Sequence, residues 1–184
     1  MKKYLTLAIL SMLTFGLKQS AAQLIHYNSI GITSFAISNP AYTGLGHSAT
    51  ISSRLNLLTI SDEVNISAGT HFSVGLAKNS SSIGTNYFAD IPVLGEVNFG
   101  HAANDESALD FGGFFGAGLG NHLMLYKTNS GSTSEYSIEG LYINGGVKFY
   151  FMDRSFGVRF SYLKDAESEN KIYGLGLMYN LGIL

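Results

Sequence analysis

The C-terminal segment of the chain alternates strictly between two kinds of side chain. From Tyr173 to Ile183 the odd positions hold Tyr, Leu or Ile, and the even positions hold Gly, Met or Asn. A period of two is that of a β-strand, in which successive side chains point to opposite faces. One apolar face and one small or polar face is typical of a transmembrane barrel strand, apolar towards lipid and polar towards the lumen. The segment therefore predicts an all-β fold that closes into a barrel.

The same period recurs along the chain, clearly in residues 65–77, 139–151 and 156–163. A turn is expected at Asp90-Ile91-Pro92, and 109–126 is either one long strand or two. With 109–126 as one strand, the prediction is an antiparallel up-and-down transmembrane β-barrel of about eight strands, each needing about 9 to 11 residues to cross the membrane. The eight segments are 48–57, 65–77, 83–89, 93–99, 109–126, 139–151, 156–163 and 173–183.

The chain begins like an exported protein. Met1-Lys2-Lys3 precedes an apolar run over Tyr4–Leu17, and the small residues Ser20-Ala21-Ala22 suit cleavage by signal peptidase. We therefore expect residues 1–22 to be a signal peptide. The apolar run is shorter than the roughly 20 residues of a membrane-spanning helix. Because the chain has no Cys, lipid attachment to Cys, disulfides and Cys metal sites are excluded.

Charge argues against a nucleic-acid partner. The chain has 11 Lys and Arg against 13 Asp and Glu, and Lys2, Lys3 and Lys18 belong to the predicted signal peptide. The mature chain is thus clearly acidic, whereas binding to phosphates needs a basic surface.

Residues 23–46 alternate poorly and contain a turn-rich unit, so we expect a periplasmic lead-in or plug there and the barrel over 47–184. Outer-membrane barrels have short periplasmic turns and longer outer loops. The short turn Met152–Ser155 should then face the periplasm, and the polar segments 127–136 and 164–171 should face outward. This places the protein in a bacterial outer membrane with both termini in the periplasm.

The inward faces of the predicted strands carry charges. Arg54, Lys148 and Arg159 face Glu96 and Asp110 there, and an eight-stranded lumen is just wide enough for side chains to fill it. A conducting pore is therefore not expected. Unpaired buried charges are costly, so we interpret the set as a structural salt-bridge network, with a proton path or small-ion site as the alternative. The predicted lumen network comprises Arg54, His71, Glu96, Asp110, Lys148 and Arg159.

A soluble calyx such as a lipocalin is the alternative fold, but its exterior would be charged and its interior apolar. The polar faces here are rich in Gly and Ser and carry the predicted network, which favours the membrane barrel.

No catalytic constellation is recognisable. The five His residues lack close metal-ligand spacing, and H-E-x-x-H and G-x-S-x-G are absent. His71 and His122 have no acid nearby in the sequence, and the Gly-rich run 112–120 lacks the Lys of a phosphate loop. We therefore expect no enzymatic activity, no metal and no cofactor. A lipid hydrolase at the barrel rim is the least favoured alternative.

The segment Asn39-Pro40-Ala41-Tyr42-Thr43-Gly44 resembles the NPAYAG-type motif that opens the PorP/SprF-like outer-membrane proteins of Bacteroidota. This resemblance implies a link with type IX secretion and gliding, in which the barrel helps to hold secreted proteins or adhesins at the cell surface. In size and strand pattern the chain is also similar to OmpX-like and OmpA-like barrels.

Together these features predict a non-enzymatic outer-membrane barrel that is a structural or accessory subunit of a larger envelope complex for secretion, assembly or surface-protein anchoring. Its partners would be outer-membrane lipids and other envelope proteins. Outward Gly113, Ala117 and Gly145 would allow another barrel or helix to approach closely. The alternative is a free-standing barrel that binds a surface ligand or adhesin through its outer loops.

Overall fold

The computed structural model describes residues 26–39, 42–79, 85–103, 109–127 and 133–183. The predicted signal peptide, 1–22, and residues Pro40 and Ala41 lie outside this part of the chain. Within the described residues no helix is long and apolar enough to cross a membrane.

Eight antiparallel strands form one closed sheet. Each strand pairs with the next along the chain, and β1 pairs with β8 to close the barrel. This confirms the predicted all-β, up-and-down barrel and its eight strands. The strands are β1 (His26–Asn39), β2 (Tyr42–Ser61), β3 (Val64–Asn79), β4 (Thr85–Gly100), β5 (Phe111–Lys127), β6 (Thr133–Phe151), β7 (Arg154–Asp165) and β8 (Lys171–Ile183).

The first strand corrects the predicted domain boundary. Residues 26–39 form β1, which pairs along its length with both β2 and β8, so the described part of 23–46 belongs to the barrel wall and is not a lead-in or plug. The sequence pattern failed because the inward face of β1 changes character: Ser29 and Thr33 point inward, and so do Phe35 and Ile37. No single alternation of polar and apolar residues describes such a strand.

The motif 39–44 consequently lies in a hairpin. Asn39 pairs with Tyr42 at the tip of the β1–β2 ladder, and Gly44 pairs with Ile37. This tip is at the barrel end opposite to His26 and Ile183, whereas a lead-in would lie beside them. We call the end that holds both described chain ends the terminal end, and the other the distal end.

A second correction concerns β4. Asp90, Ile91 and Pro92 lie inside a continuous strand rather than in a turn. Pro92 has no N–H to donate, and the β3–β4 register is interrupted between Thr70↔Val93 and Ser73↔Asp90. The Thr70 hydroxyl donates instead to the Pro92 carbonyl at 2.6 Å, and pairing with β5 continues unbroken. The described residues 85–99 thus lie in one strand rather than two. β1 restores the count to eight, and the segment predicted over 109–126 forms a single strand that begins at Phe111.

The two barrel ends differ in their connections. At the terminal end, β6 and β7 are joined by Met152 and Asp153, whose φ angles of 51° and 59° are those of a type I′ hairpin turn. At the same end, residues 101–103 of the β4–β5 connection fold back as a buried cap, where His101 Nε2 lies 2.9 Å from Ser155 Oγ. The distal connections are 40–41, 80–84, 128–132 and 166–170.

The exterior is an apolar belt. Outward Leu and Ile side chains are strongly exposed, as at Ile32 and Leu45, both 67%. Towards the distal end of β5 and β6 the outward residues become polar where Asn121 pairs with Glu139, two residues beyond the Leu119–Leu141 pair. In water such a belt would be unfavourable, since exposed apolar patches of this extent mark membrane or protein contacts. It fits a wall that crosses a membrane.

The interior is filled and has two zones. The distal half holds an apolar cluster, and the terminal half holds polar and charged side chains, which we call the polar zone. The apolar cluster comprises Phe35, Ile37, Ala77, Phe88, Leu94, Met124, Ile138, Tyr142, Leu163 and Ile172.

Candidate functional site

Five of the six predicted network residues line the barrel interior, and one does not. Asp110 is exposed and precedes β5, so its assignment to the lumen is wrong. The even-numbered face of β5 extrapolates through Asp110, but the strand begins only at Phe111. The Asp110 backbone carbonyl instead accepts a hydrogen bond from Tyr150 N at 2.8 Å. The residues that do line the interior are Arg54, His71, Glu96, Lys148 and Arg159.

The charged residues of the polar zone are held by neutral side chains. Arg54 donates to Asn98 Oδ1 at 2.6 Å, and Asn98 in turn donates to Asn65 and Ser67. Asn144 donates to Glu96 Oε1 at 2.6 Å. Glu96 was predicted to form a salt bridge with the inward Arg residues. Its hydrogen-bond partner is instead the neutral amide of Asn144. These Asn residues were not among the predicted network residues, although all occupy inward positions.

Arg159 also has a neutral partner, because its guanidinium donates to Ser52 Oγ at 2.8 Å. Between Arg54, Lys148 and Arg159 the terminal half retains a cavity of about 30 Å³. Three basic side chains therefore surround this cavity. Among the described residues that line it, only Glu96 carries a carboxylate.

A cluster of one buried carboxylate and two imidazoles lies on the distal side of this cavity. Asp90 Oδ2 is 3.1 Å from His71 Nε2, and Asp90 Oδ1 is 3.6 Å from His122 Nδ1. The Tyr142 hydroxyl lies 2.9 Å from the same His71 nitrogen. Sequence spacing concealed this cluster, because Asp90 meets His122 across the β4–β5 ladder. The turn predicted at Asp90 also placed this residue outside the barrel strands, and so outside the cluster.

This cluster is closed to substrates. Asp90 is 1% exposed and His122 0%. On the distal side the Phe88 ring stacks on His122 at 5.0 Å between centroids, and the Phe35 ring lies at 6.0 Å. The described residues contain no group of three His, Asp or Glu side chains that could hold a metal ion. The arrangement suits a structural layer where the polar zone meets the apolar cluster.

A chain of hydroxyls crosses the interior beside this layer. Thr50 Oγ1 lies 2.9 Å from Thr33 Oγ1 and 2.8 Å from Ser73 Oγ. Such a chain resembles the predicted proton path, but the apolar cluster lies between it and the distal end. The described polar groups therefore form a dead end rather than a route through the barrel.

The lipid-facing wall carries a second polar feature. Ser34 on β1 and His47 on β2 are direct cross-strand partners, both exposed, with Ser34 Oγ 2.9 Å from His47 Nδ1. They border a shallow groove of about 240 Å³ whose outer walls are apolar. His47 lay at the start of the predicted barrel, but Ser34 lay in the segment 23–46 assigned to the lead-in, so the pair was not recognised. The groove is lined in part by Leu45, Phe160, Tyr173 and Leu175.

The outward glycines Gly113 and Gly145, which were predicted to let another barrel or helix approach, are covered by aromatic side chains of the barrel itself. A Cβ on Gly113 would collide with the Phe99 ring, and one on Gly145 would touch the Phe115 ring at 3.5 Å. Aromatic side chains of adjacent strands therefore occupy these positions.

The fold and the filled interior define a small closed β-barrel of the outer-membrane type. No family model and no curated protein sequence matches the chain. Among solved structures, Ail, the attachment invasion locus protein of Yersinia pestis, matches with a TM-score of 0.58 and 13% identity over 86% of this chain and 99% of Ail.

Neisserial surface protein A also matches with a TM-score of 0.58 and 13% identity, over 85% of this chain and 96% of its own. The outer membrane enzyme PagL matches with a TM-score of 0.52 and 12% identity, over 84% of this chain and 99% of PagL. At such identities the likeness concerns the fold, which an enzyme shares with proteins of other roles.

Proposed function

We propose that the protein resides in the bacterial outer membrane, with both termini in the periplasm, as a non-enzymatic structural or accessory subunit of a larger cell-envelope complex. The observation that carries this proposal is the filled interior: the apolar cluster closes the distal half, and the His71–Asp90–His122 cluster is buried beneath it. A barrel whose described residues line neither a pore nor an accessible catalytic site acts through its surfaces.

Short distal connections favour a subunit over a free-standing adhesin. Residues 40–41 join β1 to β2, and 166–170 join β7 to β8. The latter turn is held by Asp165, which accepts hydrogen bonds from Ser168 Oγ at 2.5 Å and from Glu167 N at 3.2 Å. A loop of this kind presents little adaptable surface to a ligand.

The Ser34–His47 pair supports a contact within the membrane plane. Polar side chains facing hydrocarbon are unfavourable unless they find partners, and hydrogen bonds between membrane-embedded elements stabilise association. A neighbouring membrane protein with one hydrogen-bonding side chain at this depth would satisfy the imidazole.

Gentle detergent extraction followed by native mass measurement tests the subunit role. A particle heavier than the monomer is expected from native membranes, and it should dissociate in Ser34→Ala/His47→Leu but not in Ser38→Ala. Ser38 faces outward on the same strand but pairs with Thr43 and Lys171. A wild-type particle of monomer mass would refute the proposal.

A lipid hydrolase is the second candidate, and the same pair favours it, since a Ser hydroxyl beside an imidazole is the pairing of a nucleophile with its base. Fatty-acid release from phosphatidylethanolamine or lipid A by the purified protein should then vanish in Ser34→Ala and persist in Ser38→Ala. No release by the wild type eliminates this candidate.

The resemblance of residues 39–44 to the PorP/SprF-like motif leads us to propose surface-protein anchoring linked to type IX secretion as the more specific role. Deletion of the gene in its host, followed by quantification of surface-attached proteins, tests it. An unchanged surface proteome would contradict it.

A further inference from the structure

Two lysines face each other on the outer wall near the distal end. Lys164 on β7 and Lys171 on β8 are direct cross-strand partners in the last pair of that ladder. Like charges placed directly opposite each other are destabilising. Among the described residues neither ammonium forms an ion pair, not even with Asp165, Glu167 or Glu169 beside or within the adjoining turn. The described acids therefore leave this pair of cations without a counter-ion.

An aromatic pair next to the lysines marks the membrane boundary. Tyr162 and Tyr173 are the next outward partners towards the terminal end, with ring centroids 5.2 Å apart. Tyr is enriched at the level of the lipid headgroups, where its ring lies in apolar surroundings and its hydroxyl reaches water. The following outward pair, Phe160 and Leu175, is apolar and exposed. The two lysines thus lie at headgroup level, where lipid phosphates are the nearest anions.

The apolar groove of the wall opens beside the same lysines. Ala36 on β1 lies in the groove between its two cross-strand partners, Leu45 on β2 and Tyr173 on β8. Because β1 separates β2 from β8, these walls are two strand spacings apart, or about 10 Å. The next outward residue of β1 towards the distal end is Ser38, which pairs with Lys171. A groove of about 240 Å³ therefore ends next to an ammonium.

The width and the charge together limit what can occupy this surface. The side chains of the two walls narrow the space between them, so the groove admits a single hydrocarbon chain but not a helix, which is about 10–12 Å wide. A free phosphate ion would match the lysines and leave the apolar groove unfilled. A lipid without negative charge would fill the groove and leave the lysines unpaired. A lipid with an anionic phosphate headgroup satisfies both features.

We propose that this wall binds one lipid with an anionic phosphate headgroup. Lys164 and Lys171 hold the phosphate, and one acyl chain lies over Ala36 between Leu45 and Tyr173. The site belongs to the surface of a single barrel. The inference therefore goes beyond the subunit role and does not depend on it, since a monomeric barrel would bind the same lipid.

Native mass measurement of the detergent-solubilised protein tests the site with two lipids. Phosphatidic acid offers a phosphate monoester, whereas phosphatidylcholine with the same acyl chains carries a choline that neutralises its phosphate. From an equal mixture, one phosphatidic acid should remain bound per barrel, in roughly 30-fold excess over phosphatidylcholine if each lysine contributes as it does at an anionic membrane surface. Equal retention of the two lipids would overturn the proposal.

Two matched pairs of variants locate the site. Lys164→Gln/Lys171→Gln should remove the preference for phosphatidic acid, whereas Arg154→Gln, at an exposed residue of the terminal end, should keep it. Ala36→Phe fills the groove and should release the lipid although both lysines remain. Ala49→Phe, at an exposed outward position of β2 outside the groove, should not. The heat-modifiable gel band verifies that each variant folds. Retention of phosphatidic acid by Ala36→Phe, or an unchanged preference in the lysine variant, would contradict the site.

Discussion

The two halves of the barrel interior are filled by different kinds of side chain. In the distal half, apolar side chains such as Phe35, Phe88 and Ile138 pack against one another. In the terminal half, Arg54, Asn98 and their neighbours are joined by hydrogen bonds. Close packing excludes water, whereas a polar network with a residual cavity can admit small polar ligands. The difference assigns closure of the barrel to the distal half.

The distal half should be the less tolerant of charge. Ile138→Asp would place an unpaired carboxylate at a fully buried position, which costs about 3–5 kcal/mol. We expect loss of the heat-modifiable folded band or a correspondingly lower urea midpoint. Ser137→Asp, on the adjacent exposed position, is the control and should fold normally. Equal behaviour of the two variants would remove the distinction between the halves.

The boundary layer should show an intermediate effect. Asp90→Ala removes the hydrogen-bond partner of His71 and the carboxylate 3.6 Å from His122, which leaves a buried polar group unsatisfied at a cost of about 1–3 kcal/mol. Asp90→Asn retains an oxygen acceptor and should lose less. Urea unfolding of both variants measures the difference. A loss in Asp90→Asn as large as that in Asp90→Ala would show that the negative charge matters more than the hydrogen bonds.

The same two halves explain what could be predicted from the sequence. Where the lumen is polar, as along β6 and β8, the period of two is clean and the strands are recognisable. Where the lumen becomes apolar, Phe35 and Ile37 face inward on β1, whereas Ser34 and Ser38 face outward. This inverts the alternation of the first half of the strand, so no single period describes β1.

The alternation identified Arg54, Glu96, Lys148 and Arg159 as inward residues, but it wrongly included Asp110, which precedes β5. The partners of His71 and His122 were not found, because cross-strand register is not encoded in local spacing.

Proline had a similar effect on β4. Pro92 indicates a turn in isolation, yet the strand tolerates it because Thr70 supplies a hydrogen bond to its carbonyl and the other edge remains paired with β5. That compensation depends on a neighbouring strand and therefore had no local sequence signal.

The smallest effect is expected at the rim of the terminal half. Met152 adopts a φ of 51°, which is unfavourable for most side chains, and Asn-Gly is preferred in a type I′ turn. Met152→Asn with Asp153→Gly should therefore stabilise the barrel by about 0.5–1 kcal/mol. The urea midpoint of the double variant should rise; a fall would show that the Met152 or Asp153 side chain stabilises the turn.

Single-channel recording in planar bilayers tests the closed interior most directly. With the apolar cluster intact, the purified protein should insert without conductance steps. The double variant Phe35→Ala/Phe88→Ala removes two rings of this cluster and should show such steps. Discrete, reproducible steps from the wild-type protein would contradict a closed barrel, and with it the proposal that the protein acts through its surfaces.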